Sequence, residues 1–336
     1  MSYHLIIPAA GQGLRAFPFT GFGTTPKPFV AMGSKTVFDY IMEEALASDV
    51  DTLSLIISER SGGSAVYERY FNPFGGAPAL RDTLAKKLPN VIPMIDAVSN
   101  VKVDYVEQVD PLGFGHAVGL AWPSVDTANC DGVLVALGDD LICGNIPAMK
   151  QLIEVHKQVG GMVFMVDEVS RDEAKRFGVA QLGAPLDFDG LCRTAFPVTE
   201  VVEKPQDPKP NVINGEERYF AVGGRYLLEV EDLQFLAEQN PTPGKELDFT
   251  PLFARKVEQG RLTAVLPSGR FCTVGNETDL QKSNIRFAME PFRQGERADL
   301  VQEALDALID VGALTYKEGA WQIDSRLQVP SVSQDD

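Results

Sequence analysis

Two hydrophobic rhythms alternate along the first half of the chain. Short runs of aliphatic and β-branched residues recur at 3–8, 52–58, 101–106 and 132–137. Between them, at 37–47, 80–88 and 116–122, apolar residues return every three or four positions. The first rhythm predicts buried strands and the second amphipathic helices. Strands spaced by helices of this length predict βαβ units, hence an open α/β sheet, mostly parallel, with helices on both faces. Ligands on such sheets bind beyond the carboxyl ends of the strands, so the residues that follow each strand are the place to look for chemistry.

From Met162 the rhythm changes. Residues 162–166, 178–182, 199–203 and 219–228 read as strands, interrupted by the turn-rich segment 205–215, and predict a smaller mixed β layer laid over the parallel sheet. Past Asn284, a helical stripe of Leu300, Val301, Ala304, Leu305 and Leu308 stops near Gly312. Residues 314–323 then read as a hairpin turning at Gly319, and the polar stretch 329–336 is expected to fray.

Composition narrows the function. The chain of 336 residues is 44% hydrophobic and 23% charged, as a folded globular protein is, and its apolar runs are too short to span a bilayer. Acidic residues number 47 against 30 basic ones, a net charge of -17, which excludes a polyanion groove for DNA or RNA. The N-terminus has no basic stretch ahead of its first strand, so a cytoplasmic protein is expected. Cys130, Cys143, Cys192 and Cys272 form no CxxC pair and read as reduced core residues.

Four strand-end segments carry candidate chemistry. The first strand runs into Ala9, Ala10, Gly11, Gln12, Gly13, Leu14 and Arg15. Glycines there let the backbone approach a phosphate or base, and their amides cradle anions. With Ala16 they also fit a loose dinucleotide fingerprint, which keeps a nicotinamide-dependent oxidoreductase in view. No acidic residue, however, ends a second strand about 20 residues on, where a ribose ligand is needed. The loop continues instead to Pro26, Lys27 and Pro28; Arg15 and Lys27, taken singly, could be solvated surface charges.

The second segment passes from Glu107 and Gln108 to Gly113 and His116. The Gln108 amide offers a donor and an acceptor suited to an imide base edge, or else simply faces water in a βα turn; His116 reads as structural. In the third, Gly138, Asp139 and Asp140 close a buried strand, as hard oxygen ligands for Mg²⁺ or as turn caps. In the fourth, Glu203 and Lys204 precede Pro205. Neighbours on a strand point to opposite faces, so one ligand meets both only if a bulge or turn intervenes; the alternative is an edge strand with exposed charges.

In this order and spacing, together with 177–179, 224–228 and 246–250, the segments resemble the sugar-1-phosphate nucleotidyltransferase family, most closely its bacterial UTP:glucose-1-phosphate uridylyltransferases. The resemblance implies a Rossmann-like, GT-A-like nucleotidyltransferase domain over 1–288, which leaves 289–336 as a C-terminal helix-hairpin extension; its amphipathic helix must bury its stripe, in a homo-oligomer contact or back on its own domain. It implies Mg²⁺ as cofactor and UTP and glucose 1-phosphate as substrates, with dTTP open because uracil and thymine differ by one methyl. On the matching positions, Arg15 would hold the leaving end of the triphosphate, Lys27 the α-phosphate, Lys204 the sugar phosphate and Asp139 the metal. Ala10, Gly11, Gly13, Gln108 and the Gly113 backbone would hold the nucleotide, and Gly178 and Glu203 the sugar hydroxyls. The chain departs from the family where a second metal-binding aspartate is usual, because Thr273 stands there. Either Asp140 or Glu277 substitutes, or the metal is held by Asp139, phosphates and water, or the protein binds a nucleotide sugar without turnover. Segment 20–26 is two residues longer than usual, and the tail beyond Met289 has no family counterpart.

Overall fold

The computed structural model describes residues 2–16, 19–21, 25–75, 77–186, 190–241, 244–293, 298–317 and 320–324. Its strands, in chain order, are β1 (Tyr3–Pro8), β2 (Ala31–Met32), β3 (Lys35–Thr36), β4 (Thr52–Ile57), β5 (Lys102–Glu107), β6 (Gly132–Ala136), β7 (Asp140–Cys143), β8 (Met162–Val169), β9 (Gly178–Leu182), β10 (Thr194–Glu203), β11 (Asn211–Ile213), β12 (Glu216–Leu228), β13 (Leu262–Leu266), β14 (Arg270–Thr273), β15 (Leu314–Lys317) and β16 (Ala320–Ile323). The helices are α1 (Val37–Leu46), α2 (Ala65–Phe71), α3 (Pro78–Lys87), α4 (Ile92–Ser99), α5 (Phe114–Gly119), α6 (Ala148–Val159), α7 (Arg171–Ala174), α8 (Val230–Glu238), α9 (Thr250–Glu258), α10 (Glu277–Arg293) and α11 (Ala298–Asp310). The chain divides into two units, Met1–Ser283 and Asn284–Asp336.

The first unit is built on a ten-stranded sheet in the order β5-β4-β1-β6-β12-β8-β13-β10-β9, with β11 paired to β12. β4, β1 and β6 lie inside it and are buried on both faces, which is why they read as continuous apolar runs. β5 is the edge strand and alternates exposed and half-buried residues. The pairs from β5 to β6 are parallel, joined through helices. The chain leaves β1 toward β4 and β5 on one side and returns with β6 on the other, so the sheet's switch point falls between the ends of β1 and β6. α1 starts where predicted because Thr36 and Asp39 form a reciprocal cap: the Asp39 amide donates to Thr36 Oγ1 at 3.1 Å, and the Thr36 amide to Asp39 Oδ2 at 2.8 Å.

The middle strands join the main sheet instead of lying over it. β12 makes this possible: it pairs with β8 on both sides of a register shift between Val222 and Tyr226, while β9 pairs with its residues 220–221 and β6 with its residues 225–228. The shift falls at Gly223 and Gly224, which the sequence reading did not identify as a bulge. A Cβ on Gly223 would lie 2.3 Å from the Phe271 ring, and one on Gly224 2.5 Å from Asp140 Oδ2. The two glycines therefore open room for a small antiparallel sheet, β7 with β14, that seats Asp140 and Thr273 opposite one another. Helix α5 starts at Phe114, earlier than expected, and ends at Gly119, followed by a 3-10 turn at Trp122–Ser124 that contains the helix-breaking Pro123. None of the four cysteines forms a disulfide; Cys143 and Cys272 are buried in the small sheet. Among the described residues, no helix is long and apolar enough to cross a membrane.

In the second unit α11 ends at Asp310, and Gly312, at φ 71°, donates to Ile309 O at 2.9 Å, the stop read from the sequence. β15 and β16 pair as the expected hairpin. Its turn at Gly319 and the tail 329–336 lie outside the described residues.

Candidate functional site

A cavity of about 530 Å³ opens at the switch point, beyond the carboxyl ends of β1, β4, β5 and β6. Ala10, Gly11, Gly13, Lys27, Gln108 and Asp139, drawn from three of the four candidate segments, all line it. The two loop glycines differ. Gly13 has φ +64°, and a Cβ there would press on Thr20, whose hydroxyl donates to Gly13 O at 3.1 Å. A Cβ on Gly11 would meet nothing within 4 Å. If that space belongs to a ligand, Gly11→Ala will leave the melting temperature within about 1 °C and lower nucleotide affinity at least about tenfold, whereas Gly13→Ala will lower the melting temperature itself. Thermal unfolding and nucleotide titration separate the two.

Lys27 is carried by a short 3-10 turn, Lys27–Phe29, that two contacts fix in place. Phe29 inserts among the rings of Phe38, Tyr67 and Tyr70 at centroid distances of 5.2, 5.1 and 5.8 Å, which ties the turn to α1 and α2. On the other side Pro28 packs over Gly138, where a Cβ would come within 2.7 Å of its ring. The Lys27 ammonium is thereby held in an ion pair with the Asp139 carboxylate, with side-chain exposures of only 13% and 25%. The loop bearing Asp139 is anchored through its backbone, since Asp139 O accepts from the Val274 amide at 2.9 Å and from Thr273 Oγ1 at 3.2 Å.

Asp140 sits behind Asp139. Burial, and then the charge of Asp139, push its carboxyl well above the usual carboxylate range, against the opposing pull of a Thr273 hydrogen bond, Arg225 and Lys27. Thr273, the family's second metal position, spends its hydroxyl inside the protein, donating to Asp139 O and accepting from the Gly275 amide at 3.1 Å. The cavity thus offers one carboxylate, paired with Lys27, with a second, proton-hungry one behind it. This donor set fits Mg²⁺, which takes one or two carboxylates and fills its remaining positions with phosphate oxygens and water. Among the described residues the one cluster of three potential metal ligands, Glu229, Glu231 and Asp232, lies elsewhere and encloses an internal cation, since the fully buried Lys256 ammonium reaches them at 2.6, 3.2 and 2.6 Å.

Gln108 directly follows β5, is buried, and lines the cavity. Gly113 is not part of the lining; its carbonyl accepts from Gln108 Nε2 at 3.2 Å and from the Ala117 amide at 3.1 Å. Gly178, Glu203 and Lys204 lie outside the lining as well. The turn that the Glu203 and Lys204 pair needed is present, for Lys204 adopts φ +45° and its ammonium folds back to Glu203 Oε1 at 2.9 Å. Gly178 is Glu203's ladder partner, and its missing side chain leaves room for the Glu203 carboxylate, 3.0 Å from where a Cβ would stand. Burial, and then the charges of Asp140, Glu203 and Asp139, raise the Tyr226 hydroxyl above the ordinary tyrosine range. Arg15 stands in the turn Leu14–Ala16, and its side chain lies outside the described residues, as do 22–24 of the lengthened loop. Ser58 and Arg60 also line the cavity and were missed by the sequence reading; the signal available was that they follow β4, a parallel strand.

The sequence profile described as Nucleotidyl transferase matches residues 4–289. The chain is similar to the UTP--glucose-1-phosphate uridylyltransferase of Bacillus subtilis (strain 168), 28% identical over 301 residues that cover 86% of this chain and 95% of the other. It is likewise similar to UTP--glucose-1-phosphate uridylyltransferase 1 of Staphylococcus saprophyticus, 26% identical, covering 85% of this chain and 92% of the other. Among solved structures, the UTP-bound UGPase from Acinetobacter baumannii superposes with a TM-score of 0.71 at 22% identity, covering 93% of this chain and all of the other, a likeness of fold.

Proposed function

The chain belongs to the nucleotidyl transferase family, and on that premise we propose that it is an enzyme that makes UDP-glucose and pyrophosphate from UTP and glucose 1-phosphate. The observation that carries this reading is the meeting, in one strand-end cavity, of an open glycine loop, a held ammonium beside a carboxylate, and a base-sized amide. The named activity of the relatives supports the substrate choice.

In the proposed reaction an oxygen of the sugar phosphate attacks the α-phosphorus of UTP in line, the bond from that phosphorus to the bridging oxygen breaks, and the electron pair leaves on pyrophosphate. A phosphate monoester is already largely dianionic at neutral pH, with a second pKa of about 6, so no general base is needed. What the protein must supply is alignment of two anions and neutralisation of the charge between them. Lys27 is placed for the α-phosphate, and the Gly11 and Gly13 backbone for the triphosphate. Gln108 reads the base, Arg15 is assigned to the leaving pyrophosphate, and Glu203, Lys204 and Gly178 take the sugar phosphate and its hydroxyls. Mg²⁺, held by Asp139 with Asp140 behind it, would supply charge neutralisation on the phosphates.

A pyrophosphate-release screen of UTP, dTTP, CTP, ATP and GTP against a panel of sugar 1-phosphates with Mg²⁺ tests the reading. The expected leader is UTP with glucose 1-phosphate. An equal or faster rate with dTTP would reassign the base, and a different leading sugar the acceptor.

Thr273 favours a second reading, a binding protein that holds a nucleotide sugar and releases no pyrophosphate with any pair. Thr273→Asp separates the two. In an active enzyme limited by its single charged metal ligand, the variant reaches half-maximal rate at a several-fold lower Mg²⁺ concentration. It also melts earlier than the parent without Mg²⁺, since three carboxylates then crowd together, and gains more from added Mg²⁺. No pyrophosphate release from either the parent or Thr273→Asp with any pair would favour the binding protein.

A further inference from the structure

His116 is the part of the base-reading segment that the proposed chemistry leaves unused. The backbone that carries its ring is held in place. The Gly115 amide donates to Leu247 O at 2.7 Å, and the Leu247 amide to Leu112 O at 2.8 Å. A Cβ on Gly113 would lie 2.4 Å from Leu247 O, and one on Gly115 2.5 Å from Asp248 O. The start of α5 is thus clamped against residues 247–248, and His116 Nδ1 stands 3.1 Å from Gln108 Nε2.

An amide nitrogen carries two hydrogens and accepts nothing. Gln108 Nε2 therefore gives one hydrogen to Gly113 O and the other to His116 Nδ1. The imidazole must then be neutral, with its proton on Nε2. Burial, outweighing the nearby charge of Asp110, lowers the affinity of this ring for a second proton. With both donors engaged inward, the Gln108 oxygen is the atom left to face the cavity.

Resting on the reading that a uridine nucleotide occupies this cavity, we propose that His116 is a positioning residue for base selection: it locks the Gln108 amide so that only a hydrogen-bond acceptor meets the base. With that oxygen set opposite ring N3, such a lock favours uracil and thymine, whose N3 carries a hydrogen, and opposes cytosine, whose N3 is a lone pair turned toward another lone pair. Without the lock the amide rotates freely and offers its donor to cytosine as readily as its acceptor to uracil.

The tautomer can be read without any turnover. The chain has three histidines, and long-range ¹H–¹⁵N spectra of the whole protein are expected to show His116 with Nδ1 bare and Nε2 protonated; a proton on Nδ1 overturns the proposal. In kinetics with glucose 1-phosphate, His116→Leu is expected to lower the ratio of kcat/KM for UTP over CTP by about tenfold, through the nucleotide KM, with the KM for glucose 1-phosphate unchanged. His116→Asn, whose Oδ1 can replace the lost acceptor, should keep the ratio within about threefold. A folded His116→Leu protein with the parental ratio overturns the lock; if that variant does not fold, the Asn variant and the spectrum decide. A parent with no pyrophosphate release from any nucleotide would defeat the functional reading instead, and the tautomer would still judge the lock.

Discussion

Asp139→Ala is expected to lower kcat/KM for pyrophosphate release by about a hundredfold to ten-thousandfold while the protein stays folded. The size follows from the task. In the proposed reaction the reacting groups are two phosphate-bearing anions in a chain of net charge -17, so neutralisation must come from a few groups at contact distance. A cation at the phosphates contributes several kcal/mol to the transition state, and about 1.4 kcal/mol is a factor of ten. Asp139 is the carboxylate that lines the cavity, and its removal also frees the Lys27 ammonium from its partner. The fold should survive because the loop is tied through the Asp139 carbonyl, to the Val274 amide and Thr273 Oγ1, and neither bond involves the lost side chain. Asp139→Asn should fall between, keeping an oxygen but not the charge, and should need more Mg²⁺ for half-maximal rate. Circular dichroism and a Mg²⁺ titration of the rate complete the test. Turnover like the parent's in Asp139→Ala would remove both the metal and the charge assignment at once.

Most of the cavity's lining was legible because the rule that exposes it is local. Once β1, β5 and β6 are read as buried parallel strands, Gly11, Gln108 and Asp139 become strand-end residues, and a parallel sheet brings such ends to one side. Lys27 was legible only through its family resemblance, since nothing local shows that Pro28 packs over Gly138 and draws the ammonium to Asp139. The fate of the middle strands was not legible, because it hangs on a bulge at Gly223 and Gly224 whose neighbours, Phe271 and Asp140, lie far off in sequence. Gln108 shows the limit most clearly. Its residue type announces a donor and an acceptor, yet which of them faces the cavity depends on Gly113 and His116, and their positions on a backbone clamp from residues 247–248.

The same distance in sequence hides the residue whose loss should matter most for stability. Arg225 follows the β12 bulge and is 1% exposed, with its partner Glu44 at 9%. Its Nε lies 3.2 Å from both Glu44 oxygens, and its NH2 donates to Glu44 Oε2 at 2.9 Å across 181 positions of chain. Glu44 also accepts from the Met149 amide at 3.0 Å, so one ion pair ties α1, α6 and β12 together. The remaining nitrogen, NH1, donates to Asp140 O at 2.8 Å and Leu137 O at 3.4 Å, on either side of Asp139. Removing one member of a buried pair leaves the other charged and dry, which costs about 3 to 5 kcal/mol. Arg225→Met should therefore lower the melting temperature by about 6 to 20 °C, taking about 2 to 4 °C per kcal/mol for a unit of this size. Adding Glu44→Met should restore much of that loss, because the stranded carboxylate is gone and an apolar pair fills the space. Activity should not return with it. The two carbonyls beside Asp139 still lack their donor, so the double variant is expected to be stable and slow. A single variant within about 1 kcal/mol of the parent in urea unfolding would show that the pair is not the tie described, and full activity in the double variant would show that Arg225 does not shape the Asp139 loop.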